Sequence, residues 1–352
     1  MTEKILFSRQ GDWGVVTLNN DAALNALDWD MVKAMRAQLS TWADDTAVKA
    51  VLVNAVGEKA FCAGGDIRWL HDTAKKDPGY ACEFFREEYR NNVLIHHFSK
   101  PYVAMIDGIV MGGGVGISMH GDYRVAGDRT LFAMPETGIG LFPDVGGGFF
   151  LPQLKDGLGA FYGLTGARAK AADCVAAGIA THYTPSDQYD DLEKALLAAN
   201  LNGNAKVTID SVLRQFAGDA GVAPVEGQKA LIAQHFANFS TLQSLIHGLQ
   251  VDGGDFAQAQ LKTLGRMSPT SLLLTVEQLR RGSDLSFDDV MKMEFRMVRR
   301  VMDGPDFFEG VRAQIIDKDR NPKWTPAAID DVSDGVIDSY FATLGDHELM
   351  LP

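Results

Sequence analysis

Three times in its first half the chain runs a short apolar stretch straight into a glycine-bearing loop, and this arrangement limits the fold more than any other feature. The loops are Ala60-Phe61-Cys62-Ala63-Gly64-Gly65-Asp66-Ile67, then Asp107-Gly108-Ile109-Val110-Met111-Gly112-Gly113-Gly114-Val115-Gly116, then the stretch from Met134 through Glu136 and Asp144 to Gly148. Residues 4–19 alternate about the turn Gln10-Gly11-Asp12, as a hairpin does. Asp28 is placed to cap a helix over about 29–43, with Val32, Met35, Leu39 and Trp42 on one face. Residues 50–55 and 102–107 read as buried strands, 80–98 as a helix, and the 111–116 loop as the start of a helix reaching His120. Hairpin, helix and buried strand in that order predict a layered α/β fold rather than a bundle. Beyond about residue 190 strand signals fade, and helices are expected over 191–200, 272–281 and 287–302. The expected division is a core over 1–200 that carries the site and a helical C-terminal region over 201–352 packed on it.

The charge balance excludes some partners. Lys and Arg number 33 against 46 Asp and Glu, a net charge of -13, which repels nucleic acid and anionic lipid at long range. A small anionic ligand held by local donors is still compatible with it. The three cysteines, Cys62, Cys82 and Cys174, have no CxxC spacing, so neither a disulfide framework nor a cysteine zinc site is expected. No metal is indicated. The first residues enter strand-like alternation without a signal or transit pattern, and no apolar run is long enough to span a bilayer. Cytoplasm is the expected compartment, with no membrane partner.

The loops carry the chemistry. Backbone N–H groups at a helix start lack intrahelical partners and attract negative charge. Two of them converging on one point would make an oxyanion hole, and glycine lets a ligand carbonyl approach the backbone. Either loop alone is equally readable as a tight turn. The third stretch adds Glu136 and Asp144 in apolar, glycine-rich surroundings, where carboxyls have raised pKa values and serve as nucleophile, base or acid. Their plainer readings are a polar turn residue after Pro135 and an N-cap before Val145.

The three segments taken together, in this order and spacing, resemble the crotonase (enoyl-CoA hydratase/isomerase) superfamily. FAMPETGIGLFPDVGGGFFLP at 132–152 is similar to its 3-hydroxyisobutyryl-CoA-hydrolysing branch. So are FFREEYR at 84–90, LTGARAKAADCVAAGIATHY at 164–183, MSPTSL at 267–272 and DKDRNPKW at 317–324. The resemblance implies a spiral of ββα turns followed by a helical region, and a CoA thioester as the small-molecule substrate. It also places a homo-oligomer among the expectations. No separate cofactor is implied, since CoA is part of the substrate. Carried over by position, the oxyanion donors would be Ala63 or its neighbour Gly64, together with Gly113. Glu136 and Asp144 would be the catalytic carboxylates. Glu88, Gly113, Glu136 and Asp144 would contact substrate, and Asp66 and Ile67 would lie beside the adenosine end of CoA.

Hydratases of that superfamily use a second glutamate where this chain has Gly116, and glycine cannot shuttle a proton. Hydrolysis of a short 3-hydroxyacyl-CoA, 3-hydroxyisobutyryl-CoA of valine catabolism first among them, is therefore the expected activity. A Δ3-Δ2 enoyl-CoA isomerase and a non-catalytic acyl-CoA-binding member are the rivals, and Asp144 argues against the first. Cys62 has small apolar neighbours and no nearby histidine, which reads as a packed core thiol rather than a nucleophile. Lys59, Arg68, Lys100, Lys155 and Arg168 are the cations nearest these loops in sequence that could meet CoA phosphates.

Overall fold

The computed structural model describes residues 2–351. The chain groups into two compact units: residues 1–65, 90–132 and 169–226 form one, and residues 66–89, 133–168 and 227–352 the other. These units cut across the division at 200/201 expected from the sequence. The third glycine stretch groups with the C-terminal helices because its residues pack on them rather than on the strands that precede it in sequence.

The first unit holds the sheets. β1 (Ile5–Gln10) and β2 (Trp13–Leu18) form the expected antiparallel hairpin, with Ile5 opposite Leu18. β2 then pairs in parallel with β3 (Ala50–Ala55), which pairs in parallel with β5 (Tyr102–Met105). β7 (Tyr123–Ala126) and β10 (His182–Tyr183) complete a six-stranded sheet. β4 (Ala60–Cys62), β6 (Ile109–Met111), β8 (Leu131–Ala133) and β9 (Ala169–Lys170) make a second sheet of four in that order. Parallel strands covered on both faces are apolar throughout, and Ala50 to Val53 are all buried. The helix Trp29–Asp44 starts where Asp28 accepts a hydrogen bond from the Met31 N–H, and it buries Met31, Val32, Met35, Leu39 and Trp42. Helices Tyr189–Ala198 and Ala205–Gln215 bring Leu192, Leu196, Ile209 and Leu213 onto Trp13, Val15, Leu52, Val103 and Val125 of the large sheet.

The second unit is helical. Helices Pro269–Gly282 and Phe287–Val301 sit at the expected positions, and the latter buries nine side chains from Phe287 to Val301. Its N-cap Ser286 accepts from the Asp289 N–H, and Arg299 and Arg300 occupy its last turn, where they suit the negative end of the helix dipole. No helix among the described residues is long and apolar enough to cross a membrane.

Candidate active site

In the first unit β4 and β6 are parallel neighbours, so the loops that leave them start side by side. A Cβ on Gly114 would lie 2.3 Å from the Cys62 carbonyl oxygen, and one on Gly64 would lie 3.3 Å from the Met111 oxygen and 3.7 Å from the Gly113 nitrogen. The two loops therefore touch, as a pair of converging donors requires. Gly113 opens a helix of only four residues, Gly113–Gly116, rather than the longer one expected to reach His120. Its N–H, at the first helical position, has no intrahelical acceptor. Ala63 is a correction, because its N–H donates to the Leu24 carbonyl at 3.0 Å and is already occupied. Gly64 and, one step further, Gly65 have N–H groups with no acceptor among the described residues. Gly64 also takes φ +111°, a conformation that only glycine adopts freely.

In the second unit three predicted carboxyls come together. Glu136 heads the single turn Glu136–Ile139, Glu88 lies on helix Pro78–His96, and Asp144 lies in the loop before helix Gly147–Phe150. Their relative exposures are 5%, 2% and 4%, too little for water to solvate a charge. Burial raises all three pKa values. The charge of Asp144, and then that of Glu136, adds to the rise at Glu88, and Asp144 adds to it at Glu136. Asp144 is pushed up to about 7 by burial and held from going higher by the Tyr89 hydroxyl. Oε2 of Glu136 and Oε1 of Glu88 are buried without a hydrogen-bond partner among the described residues. Unsatisfied buried oxygens are uncommon, and a catalytic role is one reason a fold keeps them. The plainer readings fail: Glu136 is no solvated turn residue, and helix Gly147–Phe150 follows Gly146 with no side-chain cap from Asp144.

Three partners of this cluster escaped the sequence reading. Tyr89 donates its hydroxyl to Asp144 Oδ2 at 2.8 Å. Its ring makes edge contacts with Phe85 and Phe295 at centroid distances of 6.1 and 6.4 Å. Gln278 and Glu294, from the two C-terminal helices, hydrogen-bond the backbone of the Asp144 loop. Burial raises the pKa of Glu294, while the hydrogen bonds from the Gly146 and Gly148 N–H groups and from Gln278 favour its carboxylate form. The only sequence signal for Tyr89 was its place beside Glu88 in an aromatic run. Gln278 and Glu294 had none beyond lying on the inward face of amphipathic helices.

Asp66 caps helix Ile67–Ala74, its Oδ1 accepting from the Trp69 N–H at 3.0 Å, and Ile67 is the first residue of that helix. Lys100 is committed to the carbonyls of Trp42 and Asp45, and Arg68 to that of Ile315. Arg168 instead lines a cavity of about 900 Å³ with Arg266 and Arg320, beside Pro135, Gly138 and Trp324. None of the three guanidinium groups has an ion-pair partner among the described residues, and no carboxylate lines the cavity. All three cysteines are buried and none is in a disulfide, and no cluster of three or more His, Cys, Asp or Glu suited to a metal occurs among the described residues.

Comparison with known proteins places this arrangement. The family model for enoyl-CoA hydratase/isomerase matches residues 13–341. The chain is 46% identical over 352 residues to the mitochondrial 3-hydroxyisobutyryl-CoA hydrolase of Xenopus tropicalis, covering 98% of this chain and 90% of that one. It is 45% identical over 354 residues to the enzyme of that name from Homo sapiens, covering 99% and 90%. Among solved structures it is similar to a carnitinyl-CoA dehydratase from Mycobacterium thermoresistibile, at TM-score 0.92 and 36% identity over 99% of both chains. An enoyl-CoA hydratase from Rhodobacter sphaeroides matches at TM-score 0.90 and 35% identity, over 99% of this chain and 100% of that one. The hydrolase relatives are named as mitochondrial, which overturns the cytoplasmic expectation. With the match running nearly end to end, the chain belongs to the enoyl-CoA hydratase/isomerase (crotonase) family.

Proposed function

We propose that this protein hydrolyses a short 3-hydroxyacyl-CoA thioester, 3-hydroxyisobutyryl-CoA first, to the free acid and CoA. The observation that carries the reading is Glu136, buried with a free carboxyl oxygen in one cluster with Asp144. The relatives named as 3-hydroxyisobutyryl-CoA hydrolases support it at 43% to 46% identity.

The thioester carbonyl accepts hydrogen bonds from the Gly113 N–H and from a donor of the 63–65 loop, each worth about 3 kcal/mol to a developing oxyanion. Glu136 attacks the carbonyl carbon, or takes a proton from a water that does. The C–S bond breaks, the thiolate of CoA leaves with the electron pair and is protonated, and water supplies the second carboxyl oxygen of the product. Asp144, oriented by Tyr89, accepts a hydrogen bond from the substrate hydroxyl or carries the proton, and Glu88 meets the same hydroxyl. Because Glu136 must lose its proton to act, and burial first and then the charge of Asp144 raise its pKa above the usual carboxyl range, hydrolysis rises with pH above that range. Hydration has no second carboxyl to draw on at Gly116, which is a buried glycine.

One preparation assayed for three reactions tests the reading: thiol release from 3-hydroxyisobutyryl-CoA, water addition to an enoyl-CoA, and double-bond migration in an enoyl-CoA. Thiol release that exceeds both other rates at least a hundredfold is expected. Migration without thiol release would transfer the assignment to an isomerase.

A further inference from the structure

We propose that Glu294 and Gln278 are positioning residues for hydrolysis, clamping the 143–148 loop on both sides of Asp144 so that its carboxyl stays aimed at Tyr89 and the cluster. The proposal rests on the reading that Asp144 serves hydrolysis.

It starts from the backbone. Val145, directly after Asp144, takes φ +51°, and a β-branched side chain in the left-handed region is a strained conformation. Such a residue persists only where its surroundings over-determine it, and strain of this kind gathers at functional positions. If Val145 relaxed to negative φ, the peptide planes on either side would turn, and Asp144 would turn with them.

The restraint comes from two side chains far away in sequence. Glu294 accepts the Gly146 N–H on Oε2 at 2.7 Å and the Gly148 N–H on Oε1 at 2.8 Å. Gln278 donates its Nε2 to the Pro143 carbonyl at 2.7 Å and to Glu294 Oε1 at 2.9 Å. Pro143 precedes Asp144 and Gly146 follows Val145, so the clamp grips both ends of the strained pair. Helix Pro269–Gly282 lies hard against the loop, since a Cβ on Gly282 would fall 2.0 Å from the Gly148 oxygen. Both clamping side chains have zero exposure. No cation among the described residues is bonded to Glu294, and the charge of Asp144 opposes its own. An ionisable group in so costly a place needs a return, and three donors converging on it to hold one loop provide one.

The chemistry dictates the variants. In Glu294→Gln one carboxylate oxygen becomes an NH2 that faces an N–H, so one bond is lost and a donor meets a donor. Gln278→Met keeps the volume and removes both donated bonds. Each is expected to lower kcat for thiol release from 3-hydroxyisobutyryl-CoA about 30- to 100-fold with KM changed less than about threefold, because orientation rather than substrate contact is lost. The sharper readout is rescue. Glycine adopts φ +51° without strain, so Val145→Gly combined with Glu294→Gln should recover about tenfold of the lost kcat relative to Glu294→Gln alone. Val145→Gly by itself sets the baseline, and thermal melts confirm that each variant is folded at the assay temperature.

A folded Glu294→Gln with unchanged kcat would overturn the proposal, as would a double variant no faster than the single one. Asp144→Asn in the same series separates the two failures. If it is fully active, the role of Asp144 is wrong. If it is inactive while Glu294→Gln is not impaired, only the clamp is wrong.

Discussion

The two glycine loops of the first unit and the Asp144 loop of the second are held in shape by opposite means. The 60–65 and 111–116 loops offer backbone N–H groups, and they are shaped by their own glycines: Gly114 meets Cys62, and Gly64 meets Met111. The Asp144 loop offers a side chain, and it is held by others: Tyr89, Gln278 and Glu294 all come from distant helices. A backbone site is local and written where it acts. A buried carboxyl is costly to place, so its supports must be recruited from wherever the fold can supply them.

The contrast is most easily broken at Gly114. Gly114→Ala drives a Cβ into a backbone oxygen that cannot swing away, and a loss of about 4 kcal/mol or more is expected, read as a large fall in melting temperature with activity lost. A tolerated alanine would mean that the first two loops are not self-shaped.

Next in size is the cost of Asp144. Its folded pKa of about 7 lies above the ordinary aspartate value of 3.8, so between those pH values the native state holds a proton that the unfolded chain has released. The stability this group contributes is complete below about pH 4 and lost as pH climbs to about 7. Asp144→Asn cannot titrate, so its stability relative to wild type should rise by about 3 kcal/mol over that window. Denaturant unfolding at three pH values measures it, and a flat difference would mean that Asp144 is not held in a costly state.

Tyr89→Phe removes one donor from a buried carboxyl, with an expected cost of about 1–2 kcal/mol, a further rise in the Asp144 pKa and roughly tenfold lower kcat. A pH–rate profile shifted to higher pH is its signature. An unshifted profile would leave Tyr89 as packing.

The smallest effect sharpens the comparison at the cavity beside the Glu136 turn. If its unpaired arginines meet the phosphates of CoA, Arg266→Ala should raise KM for the CoA thioester about fivefold, near 1 kcal/mol, and leave the matching pantetheine thioester unchanged. Equal effects on both substrates would exclude that role.

The same contrast explains what could be read from the sequence. Asp28 as a cap, the β1–β2 hairpin and the helices at 272–281 and 287–302 rest on local patterns, and they appear in place. Glu136 and Asp144 stood out because a carboxyl among glycines and apolar residues is itself a signal. Ala63 misled because the choice of donor depends on Leu24, whose carbonyl takes that N–H through a long-range contact. Glu294 was invisible for a related reason: on an amphipathic helix only its burial distinguishes it from a solvated glutamate. The boundary at 200 followed the change from strands to helices, whereas the compact units follow packing and return the 133–168 segment to the C-terminal helices.

The most direct test is thiol release from 3-hydroxyisobutyryl-CoA by wild type, Glu136→Gln and Asp144→Asn at matched folded concentration. The account predicts rapid release by wild type and a fall of about a thousandfold or more in both variants, with substrate still bound. Release by Glu136→Gln within tenfold of wild type would contradict it.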